Sequence, residues 1–491
     1  MAGGPAGDPV AGGSATILTI TEPRSLDPAS LSNAWAFHSV LGNALYGTLM
    51  TNDSKSNEIQ YRMAESFTTK DNGATFELKL RQGLIFSDGS PLDAEAVKAG
   101  WDRVADPATG SSSIREAATI NGTRVVNPTT LEVTLWTPVP HFAQSVVVSA
   151  LNWIASPAAL KAGQQSFDAN PVGAGPFTLK SWTRQDKIEL VKNPEYRDAP
   201  KPYLDAITLR AVPDTTQRLN TLTSGGAQVA IDTNWRSIDQ ARQRGFPVDV
   251  QPLGGGQGLM MNTRRAPFTD VRARQAIAAA LDLNALNVSV YNGKGEVPRT
   301  LFPESSPFYA DIPLAGTDRE KAQRLFDELA AEGKRVSFTF TGYPTPEAKG
   351  TAEGVQAQLS AFGNVDVHIR TVDLAETAAI YAARDFDMII SSVLPTDPEP
   401  QLWNVLHGQS RANNSGIDDP RMNEALQTGR TAASTEERKT AYEVVQERMA
   451  ELVPVLLYNR ASPAVETAPD VHGVVQYGQG SLLPEELWIK K

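Results

Sequence analysis

The stretch RVSFTFTGYPTPEAKGTAEGVQAQLSAFGNVDVHIRTVDLAETAAIYAARDFDMIISSV, residues 335–393, decides the fold class. Arg335 to Phe340, Val365 to Val372 and Phe386 to Val393 each carry strand-type patterning, and helical patterns reaching Phe362 and Arg384 separate them. The order strand, helix, strand, helix, strand predicts a parallel sheet covered by helices, hence an α/β body. Just upstream, Thr317-Asp318-Arg319-Glu320 has capping-box spacing. Ala322, Leu325, Phe326 and Leu329 supply an apolar stripe, and Gly333 stands where such a helix stops. Downstream, a second box, Ser434 to Glu437, opens a long helix through Tyr442, Val445 and Met449. Pro454 ends it, and Val455 to Tyr458 reads as a strand.

Toward the N-terminus the texture is mixed and richer in β signals. Ala15 to Thr21, Thr75 to Leu80 and Leu131 to Trp136 predict short strands, and Asp93 caps a helix whose Val97, Trp101 and Val104 share a face. The change of texture falls at Leu253-Gly254-Gly255-Gly256-Gln257-Gly258, where a hinge between two α/β bodies is expected. Met1 to Ser14 is Gly/Ala/Pro-rich, with neither a basic start nor an apolar core, so a flexible tether is expected there. It is either a plain frayed start or the stalk left after removal of an export signal and a lipid-bearing cysteine.

Composition removes several function classes. With 45 basic and 56 acidic residues the formal charge is −11, which opposes nucleic-acid binding. The absence of cysteine removes disulfides, thiolate metal sites and thiol nucleophiles. The longest apolar segment, Ser145 to Ala155, is shorter than the roughly 18 residues a membrane helix needs. The histidines at 38, 141, 368, 407 and 472 lack metal-ligand spacing. Gly254 to Gly258 lacks the third glycine of a dinucleotide loop, and Gly293-Lys294-Gly295 lacks the flanks of a P-loop, so both read as turns. Neither a G-x-S-x-G elbow nor an H-E-x-x-H helix occurs. The chain reads as a binder with no cofactor.

Several ordered blocks resemble the family 5 extracellular solute-binding proteins, the dipeptide and oligopeptide receptors of ABC importers. They are ITEPRSLDP at 20–28, ALYGTLMTND at 44–53 and MAESFTTKDNGATFELKLRQGLIFSDGSPLDAEAVKAGWDRV at 63–104. GAGPFTLKSW at 173–182, KNPEY at 192–196, MNTRRAPFTDVRARQAIAAALD at 261–282 and PVLLYN at 454–459 follow in the family's order. The resemblance implies a two-lobed, periplasmic-binding-protein-like α/β fold whose lobes are joined by two strand crossovers, with the ligand enclosed between the lobes. The implied organisation is a tether at 1–14, a discontinuous first lobe at 15–50, 172–255 and 456–491, an appended subdomain at 51–171, and a second lobe at 256–455. It further implies a monomeric, extracytoplasmic receptor, periplasmic or lipid-anchored, that closes on a small peptide or peptide-like solute and delivers it to ABC permease membrane subunits.

The expected ligand-contacting residues combine this resemblance with aromatic clustering in polar segments. Glu22 precedes the Leu26-Asp27-Pro28 turn, and Trp35, Phe37 and His38 follow it. Asn234 and Trp235 follow a strand, Met260 lies at one crossover, and Tyr458 lies at the other. In the second lobe, Ser391, Ser392, Leu394 and Asp397 follow the strand FDMII, with Trp403 behind them. Peptide receptors of the family place a Trp there and, three residues later, an Asp that receives the ligand's ammonium group. Aligning Asp397-Pro398 puts Ser391 at the Trp and Leu394 at the ammonium anchor, while a gap would make Asp397 the anchor. Leu394 cannot pair with an ammonium ion, so an opine-like conjugate, a nickel chelate or an oligosaccharide stands beside a peptide as the expected solute. A hydrolase of such solutes, and a receptor serving signalling or biosynthesis, remain the alternatives.

Overall fold

Strands of alternating and of continuous apolar pattern occupy different places in the first unit. The computed structural model describes residues 7–33, 37–373 and 376–490. The chain divides into one unit of Met1–Pro252 with Ser462–Lys491 and a second of Leu253–Ala461. In the first, a seven-stranded sheet runs in the order Val248–Val250, Ala464–Thr467, Val229–Asp232, Ser14–Thr19, Ala206–Ala211, Lys187–Lys192, Phe177–Thr183. Ser14–Thr19 is parallel to both neighbours, and the other pairs are antiparallel. Val229–Asp232 is buried at every position, as a central strand covered on both faces must be. A second, antiparallel sheet runs Ala64–Thr69, Thr75–Leu80, Thr130–Leu135, Ile120–Asn127. Thr75–Leu80 alternates buried and exposed, and one hydrophobic core runs from this sheet into the seven-stranded one. The predicted helix is Ala94–Ala105, with the Asp93 carboxylate accepting from the Ala96 amide.

The chain's last segment belongs to the first unit through buried polar bonds. Tyr477 donates to Asn43 Oδ1 at 2.9 Å, Ser481 to Asn33 Oδ1 at 2.8 Å, and Asn43 Nδ2 to the Leu482 carbonyl at 2.7 Å. Helices Thr215–Thr223 and Trp235–Gln243 flank a buried charge cluster. In it Arg218 meets Asp232 at 3.1 Å and donates to the Val212 and Pro213 carbonyls. Glu466 is fully buried beside them, and neither of its carboxylate oxygens has a hydrogen-bond partner among the described residues. Burial first, then repulsion from Asp232, pushes its carboxyl up to about 8, against the pull of Arg218 and Arg242.

The second unit holds a five-stranded sheet in the order Val365–Thr371, Val336–Gly342, Met388–Val393, Gly256–Met261, Val455–Asn459. The first three are parallel and are the strands predicted from residues 335–393. The sheet is nevertheless mixed, because Gly256–Met261 joins it antiparallel to both neighbours. Helices Arg319–Ala331, Pro346–Leu359 and Thr435–Leu452 stand where the helical patterns predicted them. The first is capped by Asp318, whose carboxylate accepts from the Lys321 amide, while Thr317 of the expected box donates to the Leu281 carbonyl. Ser434 caps the last of them as read.

Both expected lobe boundaries shift. Residues 253–255 and 456–461 belong to the second unit, because Val455–Asn459 is a strand of its sheet and Arg460 clasps its first residues. The Arg460 guanidinium donates to the carbonyls of Leu253, Gly255, Thr300 and Leu301 and pairs with Glu296 at 2.7 Å. The division between the units falls immediately before the glycine run where a hinge was expected, and from Gly256 the chain enters the second unit's sheet. Gly255 has φ +64, and a Cβ on it would stand 2.0 Å from the Val393 carbonyl oxygen, so only glycine lets the strands come this close.

Candidate functional site

An open α/β sheet exposes a crevice at the carboxyl ends of its strands where neighbouring outgoing connections diverge. In the second unit this occurs between Val336–Gly342 and Met388–Val393. The former leads through helix Pro346–Leu359 to the outer strand Val365–Thr371, and the chain then returns by Thr377–Ala383 to the other side. A pocket of about 300 Å³ opens at this point, lined by Tyr343 and Glu347 from one connection and by Ser391 and Ser392 from the neighbouring strand. Gln257, Tyr291, Thr345, Tyr381 and Tyr458 complete its polar wall.

The phenols are tied in pairs. Tyr343 and Tyr381 reach the Ile390 carbonyl at 3.1 and 3.4 Å, while Tyr291 and Tyr458 reach Gln257 Oε1 at 3.0 and 3.4 Å. A carbonyl oxygen only accepts, so each of these contacts uses the phenolic hydrogen. Burial raises the ionisation of Tyr291 and Tyr343 well above the ordinary phenol value and that of Tyr458 to about 12, so all three are neutral at physiological pH. Glu347 lies in the first turn of its helix, where the N-terminal dipole favours a carboxylate.

A smaller pocket of about 240 Å³ lies in the first unit, with Glu22, Phe37 and His38 set among Val40, Leu41 and Ile188. The Glu22 carboxylate accepts from the Trp182 indole N–H at 3.0 Å and from the Gln185 amide at 3.1 Å, which fixes the turn joining two strands of the large sheet. Arg184 stacks on Trp182, 3.4 Å from the ring centre. His38 Nδ1 accepts from the Ser32 amide at 3.2 Å, so in the neutral ring the proton sits on Nε2, 3.2 Å from Thr21 Oγ1. Burial, followed by the charge of Arg24, lowers its pKa to about 4.

Of the residues expected from sequence, these two pockets gather Glu22, Phe37, His38, Ser391, Ser392 and Tyr458. Trp35 lies outside the described residues. The others lie outside these two pockets. Met260 is a core residue: strand alternation turns it toward Ile389, Val455 and Leu457, while Leu259 and Met261 face the opposite core. Asp397 is buried against Arg438, which donates to Oδ2 at 3.0 Å and also contacts Oδ1, so its charge is already matched inside the protein. Trp403 stacks on His407 at 4.7 Å and carries Arg430 4.4 Å from its ring centre. Leu394 is buried. Asn234 caps helix Trp235–Gln243, accepting from the Arg236 and Ser237 amides, and Trp235 is its half-buried first residue. Gln257, Tyr291, Tyr343, Glu347 and Tyr381 were not anticipated. The available signal was Tyr343-Pro344-Thr345-Pro346-Glu347, a strand-to-helix connection with an N-cap and a proline at the first helical position.

Comparison with known proteins agrees with this architecture. The family model for bacterial extracellular solute-binding proteins, family 5 Middle, matches residues 58–413. The glutathione-binding protein GsiB of Shigella boydii serotype 4 (strain Sb227) is 28% identical over 326 residues, which is 66% of this chain and 63% of that protein. The match thus spans less than two thirds of this curated relative's length. Among solved structures, the PBP AgaA from A. tumefacien R10, in complex with agropinic acid, superposes with TM-score 0.84 at 24% identity, covering 98% of this chain and 99% of that one. The ABC transporter-associated periplasmic binding protein DppA from Helicobacter pylori, in complex with peptide STSA, gives TM-score 0.82 at 21% identity with coverage of 98% and 99%. At these identities the likeness shows the two-lobed periplasmic-binding-protein fold. On the family match across most of its length, this chain belongs to the bacterial extracellular solute-binding proteins, family 5.

Proposed function

We propose that this chain is the extracytoplasmic receptor of an ABC importer, capturing a peptide or peptide-like solute and handing it, chemically unaltered, to the permease subunits. The observation that carries this reading is the pocket at the switch point of the second unit. Its polar wall of phenols, an amide and aliphatic hydroxyls suits reversible hydrogen bonding to a polar solute. The relatives are substrate-binding receptors, which supports capture over turnover. Family membership supports a location outside the cytoplasm, and we extend that to a periplasmic or lipid-anchored protein acting as a monomer.

The test is native mass spectrometry of the purified protein followed by calorimetry with the co-purified solute. A stoichiometric small molecule, recovered intact after prolonged incubation, is the expected result. Cleavage of the solute would favour a hydrolase. A second reading, a non-peptide solute such as an opine, is favoured by Leu394, which leaves the expected ammonium anchor of peptide receptors without a carboxylate, and by agropinic acid in the similar AgaA.

A further inference from the structure

The first unit has a switch point of its own, and the pocket there is apolar inside. Ser14–Thr19 runs parallel to Ala206–Ala211, yet the two strands send the chain to opposite faces of their sheet. From Ser14–Thr19 it goes on to helix Ser39–Tyr46, whose Val40 and Leu41 share a core with Ile17. From Ala206–Ala211 it goes on to helix Thr215–Thr223, whose Leu222 packs with Leu18, the next residue along the strand and so on the other face. Where outgoing connections diverge in this way a crevice opens at the carboxyl ends of the strands. The pocket of about 240 Å³ lies there, with Thr19 and Thr21 from the end of one strand and Leu209 and Ala211 from the end of the other. Its floor is made by Val40, Leu41, Ile188 and Leu209, all buried.

The polar side chains of the wall are bound into the protein. Both Glu22 oxygens accept N–H groups of the Trp182–Gln185 turn, His38 engages the Ser32 amide and Thr21 with its two nitrogens, and the Thr19 hydroxyl faces the Arg210 carbonyl. His38 is neutral at pH 7. Gln185, Asp186 and Lys187 form a polar rim: the first two are exposed, and Lys187 pairs with Glu189 at 3.3 Å. A cavity of about 150 Å³ lined by aliphatic and aromatic side chains stays dry and takes benzene, so 240 Å³ holds a ring or a branched chain together with its stem. We propose that this pocket is a binding site for one uncharged apolar group of the solute, a side chain of phenyl or isobutyl type. The inference rests on the receptor reading and adds the chemical class of a group bound. It makes Glu22 and His38 the supports of an apolar socket, not the partners of a charged ligand.

The test follows the methyl NMR signals of Leu41, Ile188 and Leu209 in the full chain while toluene, benzylamine or benzoate is added, three probes with one ring and different charge. Toluene is expected to shift these signals and to bind at least about tenfold more tightly than either ion, which would give up water in the socket without gaining a partner. Ala211→Phe fills the space and is expected to abolish the shifts, and the smaller Ala211→Leu to weaken them. An absence of shifts with toluene in the wild-type protein, equal binding of the three probes, or shifts unchanged in a folded variant overturns the inference and leaves the receptor reading standing. So does a co-purified solute with no apolar group of about four carbons, too little hydrocarbon to reward burial. Toluene binding by a chain that carries no solute overturns the receptor reading, while the apolar site stands.

Discussion

Replacing Glu466 by Gln should make the protein more stable, by an amount that grows with pH. The carboxyl is fully buried in the seven-stranded sheet, faced by Asp232 on the neighbouring strand, Arg218 on helix Thr215–Thr223 and Arg242 on helix Trp235–Gln243. Its ordinary value of 4.5 rises to about 8 in the folded chain. Between those values the folded protein holds the proton and the unfolded chain has released it, so stability contributed by this group is complete below pH 4.5 and is lost as pH rises toward 8. Each pH unit in that window costs about 1.4 kcal/mol, or about 3 kcal/mol by pH 7. Glutamine keeps the shape of the protonated acid and has no proton to lose, and its amide can donate toward Asp232. Urea unfolding of both proteins from pH 5 to 8, followed by circular dichroism, isolates the effect, because the second unit contributes equally to each. The stability difference should widen by about 1.4 kcal/mol per pH unit from pH 5 to 7 and level off toward pH 8. A difference that stays flat across the range would mean that Glu466 ionises normally, and the account of its burial would fail.

Three further outcomes follow from the geometry. Asp397→Ala leaves the buried Arg438 without its counter-ion and should destabilise the second unit by about 3 to 5 kcal/mol in urea unfolding. His38 should remain neutral with its proton on Nε2 from pH 8 to 5 in a nitrogen-detected NMR titration. The unfolded chain takes up a proton near 6.5 and the folded one near 4, so this group's contribution to stability is lost as pH falls between those values. Glu22→Ala removes the acceptor of the Trp182 and Gln185 N–H groups and should speed amide exchange at Gln185, at a cost of about 1 kcal/mol given the half-exposed site.

Local rules carried the sequence reading as far as local physics reaches. The three parallel strands and their helices followed from patterning within residues 335–393, and Asp93 and Ser434 were legible as caps because a cap is decided within four residues. Thr317 was misplaced by one position, since two adjacent residues can each cap and the chain gave Thr317 a partner 36 residues away at Leu281. The antiparallel strands Gly256–Met261 and Val455–Asn459 come from distant parts of the chain, so no window of sequence shows that they complete the same sheet.

The site was harder for the same reason. Asp397 looked like an anchor because its partner, Arg438, is 41 positions away, and a buried ion pair has no sequence signature. Met260 looked like a crossover residue until strand alternation put it in the core. Tyr291, Tyr343, Tyr381 and Glu347 sit in connections or on helices that read as ordinary surface. They become a wall only when the sheet order brings the ends of two strands together.

The clasp at Arg460 has a counterpart across the boundary: the Gln251 amide bonds to the Pro463 carbonyl at 2.9 Å, just as Arg460 holds Leu253. Each unit therefore presents its two severed ends side by side. Residues 253–461 form a cassette that could be lifted out without leaving a wide gap, and a linker of a few residues would reseal the remainder. Such a chain is open to modular exchange, with one receiving body accepting alternative cassettes through a two-point graft.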